Sequence, residues 1–148
     1  MAELEKVLDA FPRLTGLPVI WKSVRNKGSE CGLNLSHTLH CNAFCQKVKS
    51  TAEGLRACSR HDTVLLPAYF EERQKPEICR CHAGVMEIVV PIFRNHECQE
   101  LLFAGPFRLT GESASPGAEL TPLFASLPEL DRKQAAEYMD FLAALLLP

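Results

Sequence analysis

The sequence predicts an α+β domain built on an antiparallel sheet, with helices lying on one side. Three observations carry this. Residues 85–93 and 100–109 are β-prone and are separated by the turn Arg94-Asn95-His96-Glu97, which reads as an antiparallel hairpin. Helical periodicity occupies residues 3–13, 36–73 and 131–147. The strands are too few and too close in sequence for a repeated strand-helix-strand series, which leaves helices segregated on an antiparallel sheet.

Each element has its own local warrant. Leu4, Val7, Leu8 and Phe11 stand at helical spacing among charges, and Pro12 and Gly16 close that helix. Val19-Ile20-Trp21 is a short β-prone run, followed by Asn26, Lys27 and Gly28, which suit a turn. Ser36 is placed to cap a helix through Phe44 and Val48. Leu55, Cys58, Val64, Leu65 and Tyr69 continue the helical pattern from Glu53 to Arg73, with Pro67 expected to kink or split it. Pro91 is expected at a bulge or an edge of the sheet. Residues 111–122 collect Gly, Ser and Pro and read as a loop, after which Asp131 opens a final helix through Tyr138, Phe141 and Leu145.

Composition bounds the function. The chain has 148 residues, enough for one domain with a hydrophobic core, and 47% hydrophobic with 23% charged residues is ordinary for a globular protein. A formal net charge of -2 supplies no electrostatic drive toward a phosphate backbone, so this chain is not expected to bind nucleic acid directly. No apolar run approaches the roughly 20 residues of a spanning helix, and the acidic N-terminus lacks the order of a signal peptide. A cytoplasmic location without membrane contact is the expectation, and the abrupt end after Leu147 reads as a cut from a longer protein.

Seven cysteines cannot all pair within one chain, and in a reducing cytosol they are expected as thiols or ligands. Cys45, Cys58, Cys81 and His82 are candidates to converge on zinc or an iron-sulfur cluster, which takes about three or four thiolates or imidazoles. The compact C-x2-C pairs of common zinc modules are missing: Cys41 and Cys45 are four apart, Cys79 and Cys81 two. Buried thiols that pack as small hydrophobes are the competing reading. Cys81 beside His82 invites a thiol nucleophile, but neighbours on an extended strand point to opposite faces, so no catalytic residue is expected. His37, His40, His61 and His96 read as solvated side chains near turns or helix surfaces. Glu87 interrupts an apolar strand; it either faces water or supplies the polar contact of an apolar pocket. Gly84 suits a backbone bend, and Gly105 before Pro106 is either a strand kink or a pocket wall.

These residues in this order resemble the PocR sensory domain, a ligand-binding module of bacterial transcription regulators and some signalling kinases. The matching elements are Phe44-Cys45, Cys58, Cys81-His82-Ala83-Gly84-Val85, Pro91-Ile92 and Gly105, together spanning about residues 14–110. Gly105-Pro106-Phe107 is most similar to versions fused to AraC-type regulators, in which a helix-turn-helix region follows. The resemblance implies a PAS-like antiparallel sheet with flanking helices and a pocket for a small organic effector, the family being linked to diols, glycerol and hydrocarbon derivatives. Cys45, Cys81, His82, Glu87 and Gly105 are the expected ligand contacts. By position, Cys45, Cys58, Cys81 and His82 match the family's Cys/His pattern, which implies zinc or an iron-sulfur cluster as the cofactor of an alternative, metal- or redox-sensing role. Val85 stands where the family often has leucine, and Cys31, Cys41, Cys79 and Cys98 are extra thiols. The expectation is therefore a single non-enzymatic sensing domain over residues 1–148, dimeric through its terminal helices, and reaching DNA only through an attached domain.

Overall fold

In a computed structural model the described residues are 2–24, 37–112 and 116–147. Helix α1 (Ala2–Thr15) leads into strand β1 (Val19–Ser23). Helices α2 (Ala43–Val48) and α3 (Ala52–Arg60) follow, then a π-helical turn (His61–Leu65) that runs directly into α4 (Leu66–Arg73). Strands β2 (Glu77–Arg80), β3 (Met86–Arg94) and β4 (Glu97–Leu109) are consecutive, and α5 (Thr121–Ala125), β5 (Glu129–Leu130) and α6 (Arg132–Leu146) complete the chain. Among the described residues no helix is long and apolar enough to cross a membrane.

Local chemistry explains most of these boundaries. Pro12 lies inside α1 instead of ending it; the stop is Gly16, whose positive φ of 78° lets its N–H reach the Pro12 carbonyl at 2.8 Å. Ser36 lies outside the described residues, and α2 is capped by Asn42, whose side-chain oxygen accepts from the Cys45 N–H at 2.9 Å. Asp131 caps α6 in the same way, as expected. The irregularity expected at Pro67 falls just before it. Pro67 has no N–H for a bond back to residue 63, and the preceding turn widens so that the Leu66 N–H reaches the His61 carbonyl.

The sheet is antiparallel in the order β1-β4-β3-β2, and the two-residue β5 adds parallel to the end of β4. The predicted hairpin is β3 and β4, turning at Asn95 and His96, both with positive φ. Pro91 lies beyond Val89, the last β3 residue paired with β2, where the sheet on that side is open. Met86, Ile88, Val90, Leu102 and Ala104 pack with Leu8, Phe11 and Leu142 of α1 and α6. Their strand neighbours Ile20, Val89, Leu101 and Phe103 pack with Leu66 and Phe70 of α4. Helices thus cover both faces, not one. The reason is in β3, where every residue from Met86 to Pro91 is buried: a strand apolar on both sides needs cover on both. The architecture is α+β, an antiparallel sheet with flanking helices.

Candidate functional site

One stretch of the α4 face is not closed by hydrocarbon. Lys22 shares strand parity with Ile20, and Glu87 with Val89, so β1 and β3 aim a cation and a carboxyl into the layer between sheet and helices. Phe103 of β4 is the floor: the Lys22 Nζ stands 5.8 Å from its ring centroid, and the His40 ring meets it edge-on at 5.2 Å. From above, the π-helical turn brings Asp62, 5% exposed, onto Lys22, with which it forms an ion pair. The wider π turn re-aims side chains relative to a regular helix, which is why such turns recur at functional sites.

His40, Asp62 and Glu87 converge. The His40 Nε2 lies 3.5 Å from Glu87 Oε1 and 3.9 Å from Asp62 Oδ2. Although these separations have ion-pair reach, burial lowers the imidazole to about 3, against the raising effect of Asp62, so His40 is neutral here. Burial, then the Asp62 charge, pushes the Glu87 carboxyl up to about 8, so at neutral pH it is largely protonated. Among the described residues, both His40 ring nitrogens, His61 Nε2 and Glu87 Oε2 are buried without a hydrogen-bond partner. Each such group costs about 1–3 kcal/mol. They border a cavity of about 30 Å3, the space of roughly two water molecules.

Cys45, Cys58, Cys81, His82 and Glu87 all line this cavity, drawn together from α2, α3, the β2–β3 turn and β3. Cys58 Sγ and His82 Nε2 are 3.0 Å apart. Among the described residues, the set of three metal-ligating atoms lying mutually within 4.8 Å is nevertheless that of His40, Asp62 and Glu87. Burial pushes Cys45 and Cys81 up to about 12 and raises Cys58, so these are thiols and not thiolates. Gly105 stands apart from the cavity lining. It occupies the bulge opposite Glu87 with φ of 144°, and a Cβ there would lie 3.0 Å from the Met86 carbonyl oxygen and 3.3 Å from Glu87 Cα. Its role in the structure is to let β4 approach the backbone that carries Glu87.

Two expectations are corrected. Cys81 and His82 lie on a turn closed by Cys81 N–H to Val85 O at 2.8 Å, not on an extended strand. Gly84, with positive φ, permits that turn, and it directs His82 to Cys58. His40 is 8% exposed and not solvated, and the half-buried His61 lines the cavity beside it. Lys22, Asp62 and His40 were missed as site residues. Lys22 carried a signal, a charge in phase with the buried Ile20; Asp62 carried a fainter one, four residues after Cys58 on a helix.

The fold is an α+β sheet that holds a small, partly closed cavity with unpartnered polar groups. The family model described as the sensory domain found in PocR matches residues 1–146. The chain belongs to the PocR sensory-domain family. No curated protein and no solved structure matches it.

Proposed function

We propose that this chain is the effector-sensing input domain of a bacterial transcription regulator of the AraC type, and that its cavity takes a small organic effector. The observation that carries this reading is the pairing of an apolar-walled cavity with the buried, unpartnered His40 and Glu87. A neutral imidazole and a protonated carboxyl offer hydrogen bonds without charge, which suits a hydroxyl-bearing neutral molecule. That agrees with the diols, glycerol and hydrocarbon derivatives that the family resemblance implies. The effector acts by binding one of two conformations better than the other, and the π-helical turn carrying Asp62 is the element it touches that connects to both α3 and α4. The reading includes a cytoplasmic domain of a longer protein, dimeric or relaying through α1 and α6 to an attached helix-turn-helix region.

Thermal unfolding against a panel of diols, polyols and small hydrocarbons tests it, with native mass spectrometry on the purified protein. At least one compound raises the melting temperature, and Glu87→Ala abolishes the rise. No shift with any compound and no retained ligand would remove the basis of the reading. The non-enzymatic part is tested by alkylation: Cys81, a neutral thiol, reacts no faster than a free cysteine at neutral pH.

The 3.0 Å contact between Cys58 and His82 favours a second reading, a metal or redox sensor using Cys45, Cys58, Cys81 and His82 with zinc or an iron-sulfur cluster. Anaerobic purification followed by metal analysis and an absorption spectrum decides it, since absence of both zinc and iron excludes it.

A further inference from the structure

We infer that His40, Asp62 and Glu87 form a binding site for one divalent first-row transition cation, distinct in its ligands from the cysteine cluster beside it. Three residues from separate segments place one nitrogen and two carboxylate oxygens mutually within 4.8 Å, all of them buried. Two of their separations, 3.5 and 3.9 Å, are close to the 3.3 Å or so between neighbouring ligands of a tetrahedral ion with bonds of about 2.0–2.1 Å. The His40 lone pair and the oxygens of Asp62 and Glu87 are the atoms that would ligate the cation, Glu87 giving up its proton as the ion binds. Lys22 supplies one positive charge, and it lies on Asp62. Lys49 donates to the His40 carbonyl oxygen and not to its ring, and both His40 ring nitrogens and Glu87 Oε2 have no hydrogen-bond partner among the described residues. This second observation sets the cluster apart from an ordinary buried ion pair.

The donor set selects the ion. One imidazole with two carboxylates suits zinc, ferrous iron or manganese; imidazole disfavours magnesium and calcium, and the oxygens disfavour cuprous copper. Asp62 Oδ2, the oxygen 3.9 Å from His40 Nε2, is also the one that Lys22 bonds, so a cation ligated there displaces the Lys22 ammonium from it. The cavity of about 30 Å3 on the open side leaves room for a water or a ligand hydroxyl as a further ligand. The cation site and the effector reading share His40 and Glu87, and a titration without effector tests the cation site by itself.

The test is titration of the chelator-treated, anaerobic full chain with Zn2+ and with Co2+ alone, no effector being present. One equivalent binds, and bound Co2+ shows ligand-field absorption without an intense thiolate-to-cobalt charge-transfer band. Glu87→Gln, which keeps the shape and neutral hydrogen bonding of the side chain, weakens binding at least about tenfold, as does His40→Ala, whereas Cys58→Ser changes it less than about twofold. Circular dichroism establishes that each variant is folded. If either variant does not fold, the wild-type Co2+ spectrum decides alone. Absence of saturable binding overturns the inference. A strong thiolate band, or loss of binding in Cys58→Ser with none in Glu87→Gln, overturns it as well by placing the ion on the cysteines.

Discussion

Glu87 and His40 are both held neutral by burial, and their opposite shifts make stability depend on pH from two sides. His40 falls from an ordinary 6.5 to about 3, so below pH 6.5 the unfolded chain binds a proton that the fold refuses, and stability is lost as pH falls toward 3. Glu87 rises from 4.5 to about 8, so the fold holds a proton that the unfolded chain releases, and stability is lost as pH rises from 4.5 through 8. Lys22, Asp62, Lys49 and His61 are the charged or titratable groups that act on His40, and all line the cavity. Metal-free protein is therefore most stable in the overlap, between pH 4.5 and 6.5, with flanks approaching 1.4 kcal/mol per pH unit at their steepest. Urea midpoints measured from about pH 3 to about pH 9 check this. A midpoint still rising above neutrality would mean that Glu87 is ionised in the fold. The Lys22–Asp62 pair predicts a second outcome at this scale. Lys22→Met leaves Asp62 charged and buried, and costs about 3 kcal/mol, most of which is recovered when Asp62→Leu is added. An additive double mutant would show that the two side chains do not interact. Glu87 was legible in the sequence because a charge interrupts an apolar strand. Asp62 was not: its partners come from strands some 40 and 25 residues away, and helical periodicity alone makes it one more polar position.

At the scale of elements, the site depends on two irregularities, the π-helical turn and the bulge where Glu87 faces Gly105. Periodicity over residues 53–73 correctly implied a helix and Pro67 a disturbance within it. A single inserted residue shifts the phase by too little to be read from side-chain pattern, so the turn itself was invisible. The hairpin was legible from composition and its polar turn, but its pairing register was not, because an apolar strand buried on both faces gives no alternation to fix it. Extended backbone was expected around Cys79, but β2 was not delimited as a separate strand, since Glu77-Ile78-Cys79-Arg80 is half polar and partly buried. Gly105→Ala tests the bulge. The Cβ would meet the Met86 carbonyl oxygen at 3.0 Å in a backbone conformation that L residues rarely adopt. The variant loses about 1–3 kcal/mol in urea unfolding, and in any effector or cation titration it behaves like a Glu87 variant, because the moved backbone carries Glu87. Unchanged stability would mean that β4 accommodates the methyl by shifting register.

For the molecule as a whole, the consequence of covering both sheet faces is that β3 and β4 belong to two cores at once. Val89 and Phe103 lie against α4 and the site, while Ile88 and Leu102 lie against α1 and α6. Composition and helix count did not reveal this, because helices on one face and on two have the same sequence pattern; the buried run of β3 was the only clue. A shared pair of strands couples the layers: neither helical layer can leave without exposing residues whose backbone the other layer still holds. Unfolding is therefore a single transition, and it has a convenient reporter in Trp21, the only tryptophan, which packs on the α1/α6 core from strand β1. Leu142→Ala, fully buried on α6, removes contacts from the layer remote from the site and costs about 2–5 kcal/mol. Trp21 fluorescence and far-ultraviolet circular dichroism fall together in urea for both the wild type and this variant, with an unchanged slope. Two separated midpoints would show that the α1/α6 layer detaches while the site layer persists. A sheet that lets one face melt alone could not carry a change at Glu87 through to the terminal helices, and the relay in the proposed function would need another route.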